Sequence, residues 1–376
     1  MTTIRHEEPD RVPVGPRVWV WLGEHYGSFA WPYEVRAGRE FDFDPMIYLP
    51  SPYPNYIHRL LGGYEELKDV RVELAVERLP DRTRIARTIY TPAGKLTDRM
   101  VQPKPNMGYG ADPNPHWDER LVKEPADLAA LAYLLPEPSP AAYLDSVAVQ
   151  DEIGERGLAH IYVNSAIDHG GGWVLDLEDL MVASKQQPDF VRAIFALFHR
   201  HSLAQTRCAL EAGLKAIFAP WYFASLSTGW SPHFYQAFIL PLVREQVALT
   251  HQLGGIYHYY DDGRCSAILE WLAEAGVDVM STLPPPPIGD IDLADAKRRI
   301  GARVCLKGNI DIINVIKEGT PELIDSRVCE AILAAAPGGG FILGSSDSIR
   351  EAPAANVRAY FAAARRYGDY AHLGQA

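Results

Sequence analysis

From residue 125 onward the chain alternates two kinds of segment, and this alternation limits the folds open to it. Leu158–Val163, Gly213–Phe218, Ile256–Tyr259, Val277–Met280, Val304–Leu306 and Phe341–Leu343 are short apolar, β-branched or aromatic runs, the pattern of buried strands. Between and around them, residues 125–135, 141–156, 177–185, 188–212, 231–253, 264–275 and 293–300 carry helical spacing, as do the stretches opening at Thr320 and Pro353. Ser231-Pro232 and Thr320-Pro321 each set a capping hydroxyl before a proline at the first helical position. Strand followed by helix, without tandem hairpins, implies parallel strands joined by crossovers. The number of such units in 376 residues favours a closed (β/α)8 TIM-like barrel in a single domain over residues 1–376, with an open doubly wound sheet as the alternative. Upstream, Arg17–Leu22 is expected to be the first buried strand, and Glu34–Tyr48 a short helix and turn around the Phe41–Pro45 corner.

Residues 70–118 break the rhythm. Val72–Glu77 and Thr83–Tyr90 alternate with a period of two, and Thr91-Pro92-Ala93-Gly94 has turn composition. They predict a small inserted antiparallel sheet, followed by a Pro-, Asn- and Gly-rich loop over 102–118. A formal charge of −12, without a basic cluster, argues against nucleic acid as a partner. No apolar run approaches the roughly 20 residues of a membrane helix, the N-terminus lacks an apolar signal core, and the four cysteines are scattered without paired spacing. A cytoplasmic setting is the expectation. No Gly-x-Gly-x-x-Gly or Gly-Lys-Ser/Thr loop points to a nucleotide.

In α/β proteins ligands gather where strands end, so the residues there are the candidates. His258, Tyr260, Asp261 and Asp262 follow one strand, Asp168 and His169 another, and Asp347 stands in the Ser-Ser-Asp-Ser run after the last. Trp221, Tyr222 and Tyr260 supply aromatic surface suited to a flat organic ligand. Arg17 is a candidate ligand-binding cation and Asn309 a candidate substrate contact. The blander readings are a core histidine for His258, a helix cap for Asp262, and a turn-stabilising pair for Asn309 and Asp311.

The ordered pieces Asp10-Arg11-Val12-Pro13-Val14, Thr91-Pro92-Ala93-Gly94, Ser231-Pro232, Ile239-Leu240-Pro241, Ala275-Gly276-Val277-Asp278, Gly308-Asn309-Ile310-Asp311, Gly319-Thr320-Pro321-Glu322 and Gly338-Gly339-Gly340-Phe341 resemble the uroporphyrinogen decarboxylase superfamily. That superfamily joins the decarboxylase of haem biosynthesis to zinc-dependent methyltransferases that take a methyl group from a corrinoid. The resemblance implies the barrel. The chain departs from the decarboxylase by lacking its N-terminal Arg-Gln-Ala-Gly-Arg motif, Arg17 being the nearest cation, and by carrying Asp347 in place of a histidine.

Against the methyltransferases, the His-x-Cys-Gly motif and the late cysteine that hold zinc are replaced. Gly263 is the glycine, Asp262 and Asp347 take the cysteine positions, and His258 or Tyr260 takes the histidine position. From the resemblance, His258, Asp262 and Asp347 form an expected metal triad for zinc or another divalent ion. The function so implied is metal-assisted methyl transfer between an oxygen-linked substrate and a corrinoid carrier protein. The partners are then a small-molecule substrate, that corrinoid protein and, among allowed assemblies, a homodimer. The alternatives are a metal-free decarboxylase-like lyase acting on a porphyrinogen or aromatic acid, with Asp347 and His169 moving protons, and a non-catalytic binder of a tetrapyrrole or aromatic ligand.

Overall fold

The computed structural model describes every residue except 54, 55, 58, 60, 106, 108–114, 169–173 and 374–376. Among the described residues the strands are β1 (Met46–Leu49), β2 (Arg71–Arg78), β3 (Arg82–Thr91), β4 (Gly94–Pro103), β5 (His116–Glu119), β6 (Leu158–Tyr162), β7 (Ala216–Pro220), β8 (Ile256–Asp261), β9 (Val279–Thr282), β10 (Cys305–Ile310) and β11 (Phe341–Ser345). Their contacts group the chain into two compact units: Met1–Ser51 with Pro140–Val163 and Thr206–Ala376, and Pro52–Ser139 with Asn164–Gln205.

The first unit is a curled sheet in the order β1-β6-β7-β8-β9-β10-β11, with every adjacent pair parallel. Helices Leu240–Gln252, Leu269–Ala275, Leu293–Ile300 and Pro321–Ala335 fall between successive strands from β7 to β11, and Ala354–Tyr367 follows the last. This is the alternation expected of a TIM-like barrel.

Its closing position is taken by an extended segment. Val14 bridges Leu343 on β11, the Gly15 amide donates to the Leu343 carbonyl at 2.8 Å, and the Leu343 amide returns to Pro13 at 2.8 Å. On the other side the Asp44 amide donates to the Val14 carbonyl at 2.7 Å, and the Val14 amide donates to Asp44 Oδ2 at 2.8 Å. Gly15 is glycine because of this squeeze: a Cβ there would sit 2.7 Å from Met46 Sδ on β1 and 3.2 Å from Ile342 Cγ2 on β11.

This arrangement corrects the expected strand over Arg17–Leu22. Extended backbone ends at Arg17, which bridges Ser348, and Trp19–Tyr26 is a helix stopped by Gly27 in the left-handed conformation. The aromatic run of that segment covers a surface rather than filling the barrel. The structure also places a strand at Met46–Leu49, where the sequence reading ends in a corner; helix Trp31–Phe41 precedes it.

Side chains alternate along each barrel strand. At one end Met46, Val279, Cys305 and Ile342 meet in an apolar floor, with Leu158 and Ile256 packed against it. Higher up, the inward residues become polar: His160 on β6, His258 on β8, Ser281 on β9 and Lys307 on β10, all buried.

The second unit contains the antiparallel sheet β2-β3-β4-β5, as the period-two pattern predicts. The turn between β3 and β4 falls at Pro92-Ala93, with the Thr91 hydroxyl donating to Gly94 at 3.0 Å. Ile85, Met100 and Trp117 form its apolar cluster. Beside them Arg87 and Asp98, their side chains wholly inaccessible, form a bidentate pair. Arg87 Nη1 also donates to the carbonyls of Ile57 at 2.8 Å and Arg59 at 3.0 Å, and Trp117 Nε1 to Asp98 at 3.2 Å.

Removing one member of such a pair strands a buried charge. We expect Asp98→Ala to cost about 3–5 kcal/mol in denaturant unfolding, and Arg87→Met with Asp98→Leu to cost less than that single change. Equal losses from the single and double variants would show that the pair is not the source of the stability.

Candidate functional site

β8 positions the site. Its outward residues are tied to the surrounding helices: Tyr257 donates to Gln246 at 3.0 Å, and Tyr259 pairs with Tyr235 at 2.9 Å. Its inward residues are His258 and Tyr260. Tyr260 OH donates to Asp347 Oδ1 at 2.8 Å. Arg17 reaches the same carboxylate through Nη1 at 3.3 Å and Tyr222 OH through Nη2 at 3.2 Å. The guanidinium lies over the Tyr260 ring, 4.7 Å from its centroid, a cation–π contact that favours charge at low hydration. Arg350 Nη2 holds the other oxygen of Asp347 at 2.5 Å. Arg17 Nε is buried without a partner among the described residues. The Arg17 and Asp347 side chains keep 14% and 24% of their exposure, so the cluster opens to solvent.

Asp262 stands beside this group. Its carboxyl is pushed up to about 6, first by crowding from surrounding protein and then by the Asp347 carboxylate, while Arg17 and Arg350 pull the other way. The residue retains an exposed edge, so the group is an acid open to solvent at the top of the ordinary carboxylate range. Its neighbour Asp261 is buried on the outer face of β8, accepts the Gly263 amide at 2.9 Å and is pushed up to about 8, chiefly by burial.

Beneath the cluster lies the buried polar tier. His258 shares Nδ1 with His160 Nε2 at 3.2 Å and Nε2 with the Ser281 hydroxyl. Burial holds both imidazoles in the neutral form, with the His160 charge next for His258 and the Lys307 charge next for His160, whose pKa falls to about 3. Lys307 is depressed by burial and then by Arg17; Glu34, from helix Trp31–Phe41, is raised by burial, and each favours the other's charged form.

Five of the expected residues therefore converge: Arg17, Tyr222, Tyr260, Asp262 and Asp347. His258 does not join Asp262 and Asp347, because both its ring nitrogens are engaged inside the barrel. Asp347 is held by two arginines and a tyrosine. Among the described residues no three His, Cys, Asp or Glu side chains are placed to hold an ion. The donor set for zinc or another divalent metal does not fit, and no step is derived through one.

Trp221 is buried among helices, with Nε1 donating to Tyr257 at 3.1 Å. Asn309 lines a separate groove of about 690 Å³ with Pro285, Asp290, Asn314 and Arg327. Asp311 accepts the amides of Ile313 at 2.7 Å and Asn314 at 2.9 Å, the turn-stabilising role. His169 lies outside the described residues.

Sequence reading passed over Lys307, Glu34, His160, Tyr48 and Arg350. Lys307 had a signal: a charge that ends the apolar run Val304-Cys305-Leu306 yet stays inside the strand. Glu34 had none, since only folding brings its helix to the barrel.

Residues 169–367 match the family model described as Uroporphyrinogen decarboxylase (URO-D). The chain belongs to that family. Among its curated relatives, the uroporphyrinogen decarboxylase of Trichodesmium erythraeum is 28% identical over 182 residues, 48% of each chain. That of Chlorobium phaeovibrioides is 37% identical over 123 residues, 32% of each. That of Nostoc punctiforme is 22% identical over 96% of this chain and 94% of its own. In the first two of the three, as in most of these matches, the chain spans about half the relative's length or less. A solved methyltransferase from Methanosarcina mazei superposes over 97% of both chains with a TM-score of 0.66 at 17% identity, a likeness of fold. Among the described residues no helix is long and apolar enough to cross a membrane.

The two aspartates give a stability prediction. A carboxyl whose folded pKa is raised stabilises the fold below its unfolded pKa and loses that contribution as pH rises to the folded value. For Asp261 the window runs from 3.8 to about 8. Stability of Asp261→Asn, which keeps the acceptor for Gly263, should decline less than that of the parent between these limits; parallel curves from denaturant titrations would remove Asp261 as the cause.

Proposed function

We propose that this protein is a metal-independent carboxy-lyase-type enzyme, acting on a small cyclic or aromatic carboxylate. The observation that carries this reading is the juxtaposition of an arginine facing aromatic rings with an exposed carboxyl whose proton affinity is raised. Loss of carbon dioxide from a carboxylate leaves an electron pair on carbon, which a proton must capture. Arg17 can grip a carboxylate by charge-assisted hydrogen bonds, using Nε and the edge it now shares with Asp347. Tyr222 supplies a partly open ring against which a flat ligand packs, and the buried Tyr260 ring backs the Arg17 guanidinium. Asp262, kept partly protonated near neutrality, is the acid that delivers the proton. Asp347, itself held by Arg350, positions Arg17 and raises Asp262's affinity for its proton.

The curated relatives support this reading by name: those cited are decarboxylases of a carboxylate-bearing substrate. The two cations at this cluster, Arg17 and Arg350, fit one or two carboxylates better than the many of uroporphyrinogen.

The test is release of carbon dioxide from a panel of aromatic and cyclic acids, with uroporphyrinogen included. Asp262→Asn should lower kcat by about 10²–10⁴-fold, the usual worth of a positioned acid. Arg17→Gln should act mainly on KM, raising it about tenfold or more. Because the protonated form is the active one, kcat should fall as pH rises through about 6. Full activity in Asp262→Asn, or no release from any acid in the panel, would falsify the proposal.

A further inference from the structure

Lys307 is the residue that the acid/base scheme leaves unused. It projects inward from β10 and is 3% exposed. Its register partner on β9 is Ser281, which is also the partner of Tyr260 on β8. Lys307 and Tyr260 are therefore in register through Ser281 from strands two apart, roughly 10 Å between backbones at the usual strand spacing, and Lys307 lies just beneath the cluster that the Tyr260 hydroxyl joins. Gly344 on β11 lies against the Lys307 stem: a Cβ there would stand 3.3 Å from Lys307 Cγ and crowd it.

Among the described residues nothing hydrogen-bonds its amine, although three donors are available. Two other buried atoms of this interior, His160 Nδ1 and Tyr48 OH, are likewise unpartnered. Tyr48 lies 5.4 Å from the His160 ring and 5.9 Å from the Arg17 guanidinium, so the three elements face one volume. A buried amine without a carboxylate bonded to it, next to a second cation, is poorly placed as a structural ion pair and well placed as a nucleophile.

We propose that Lys307 forms an imine with a ketone carbonyl of the substrate, which makes that substrate a cyclic or aryl-bearing β-oxo acid, a carboxylate two bonds from a carbonyl, of which acetoacetate is the minimal reacting fragment. This deepens the carboxy-lyase reading and rests on it.

The uncharged Lys307 amine adds to the carbonyl carbon, the carbonyl oxygen leaves as water, and one proton taken up from solvent gives a protonated imine; hydrolysis returns that proton at the end. The bond from the α carbon to the carboxylate breaks, and carbon dioxide departs from the Arg17 end. The electron pair moves into a new carbon–carbon double bond and on to the imine nitrogen, forming an enamine. A proton from Asp262 returns to the α carbon, and water hydrolyses the imine to release ketone and amine. No oxidant or reductant is consumed.

The groups facing Lys307 suit the first step. Burial and then Arg17 favour its free amine, while Glu34 and, after it, Cys305 oppose them. His160 and His258, both neutral, and the tyrosines 48 and 260 complete its surroundings.

The experiment is reductive trapping of the full chain with acetoacetate, and in parallel benzoylacetate, under sodium borohydride, followed by peptide mapping. From acetoacetate the expected product is an isopropyl group on Lys307, which records imine formation and loss of carbon dioxide together. Its yield should be half-maximal near pH 7 rather than near 10.5. Lys307→Arg, which keeps a long nitrogen-bearing side chain that cannot form the imine, should give no adduct and only background release of carbon dioxide.

An adduct on Lys307 that retains the carboxylate would uphold the imine and sink the lyase reading. Carbon dioxide released from either acid with Lys307 unmodified would leave the lyase reading standing and overturn the imine. Modification spread over surface lysines, or no adduct from either acid, would also overturn it.

Discussion

A parallel sheet can close into a barrel only if the gap between its first and last strands is filled. Here the gap between β11 and β1 is filled by five extended residues, Pro13 to Arg17. The main-chain bonds of Val14 and Gly15 join both edges, and the want of a side chain at Gly15 lets the edges approach. The same segment ends at Arg17 and so delivers a guanidinium to the strand ends, where Asp347 and Tyr260 receive it. Closure and site assembly are thus one event, and a change that loosens residues 13–17 would reach both.

The interior of the barrel grades from apolar to charged. Met46, Val279, Cys305 and Ile342 supply the floor, where burial is worth roughly 1.5–3 kcal/mol for a large aliphatic side chain. Above it the neutral imidazoles of His160 and His258 cost less to bury than charged groups would; both nitrogens of His258 are bonded, to His160 and Ser281, while His160 Nδ1 has no partner among the described residues. Glu34 and Lys307 are harder to place, since each is pushed by burial toward its uncharged form. Groups so perturbed cluster at functional sites. The open cluster of Arg17, Asp347, Tyr260 and Asp262 lies above them. A ligand carboxylate at the top and a carbonyl below would use both tiers.

Much of the candidate site was legible in the sequence, for a specific reason. Tyr260, Asp262 and Asp347 follow strands, and in this fold strand ends face the ligand. Arg17 was legible as a cation near a strand edge even though its own segment turned out to be helical from Trp19 onward. His258 misled because alternation along β8 sets it inward and one tier down, with both nitrogens occupied; the register of a strand is not written in its own residues. Trp221 misled for the related reason that an aromatic beside a strand end can as easily point outward to a helix.

Local pattern alone determined the strand and helix alternation from residue 125 onward, the small antiparallel sheet and the family, because hydrophobic period, caps and ordered motif pieces are properties of short stretches. Tertiary structure alone decided which polar residues meet. Glu34, His160 and Lys307 lie far apart along the chain and carry no mutual spacing, and the pairing of strands brings them into one interior. Proton affinities followed from that meeting, since burial and neighbouring charge exist only after the barrel has closed.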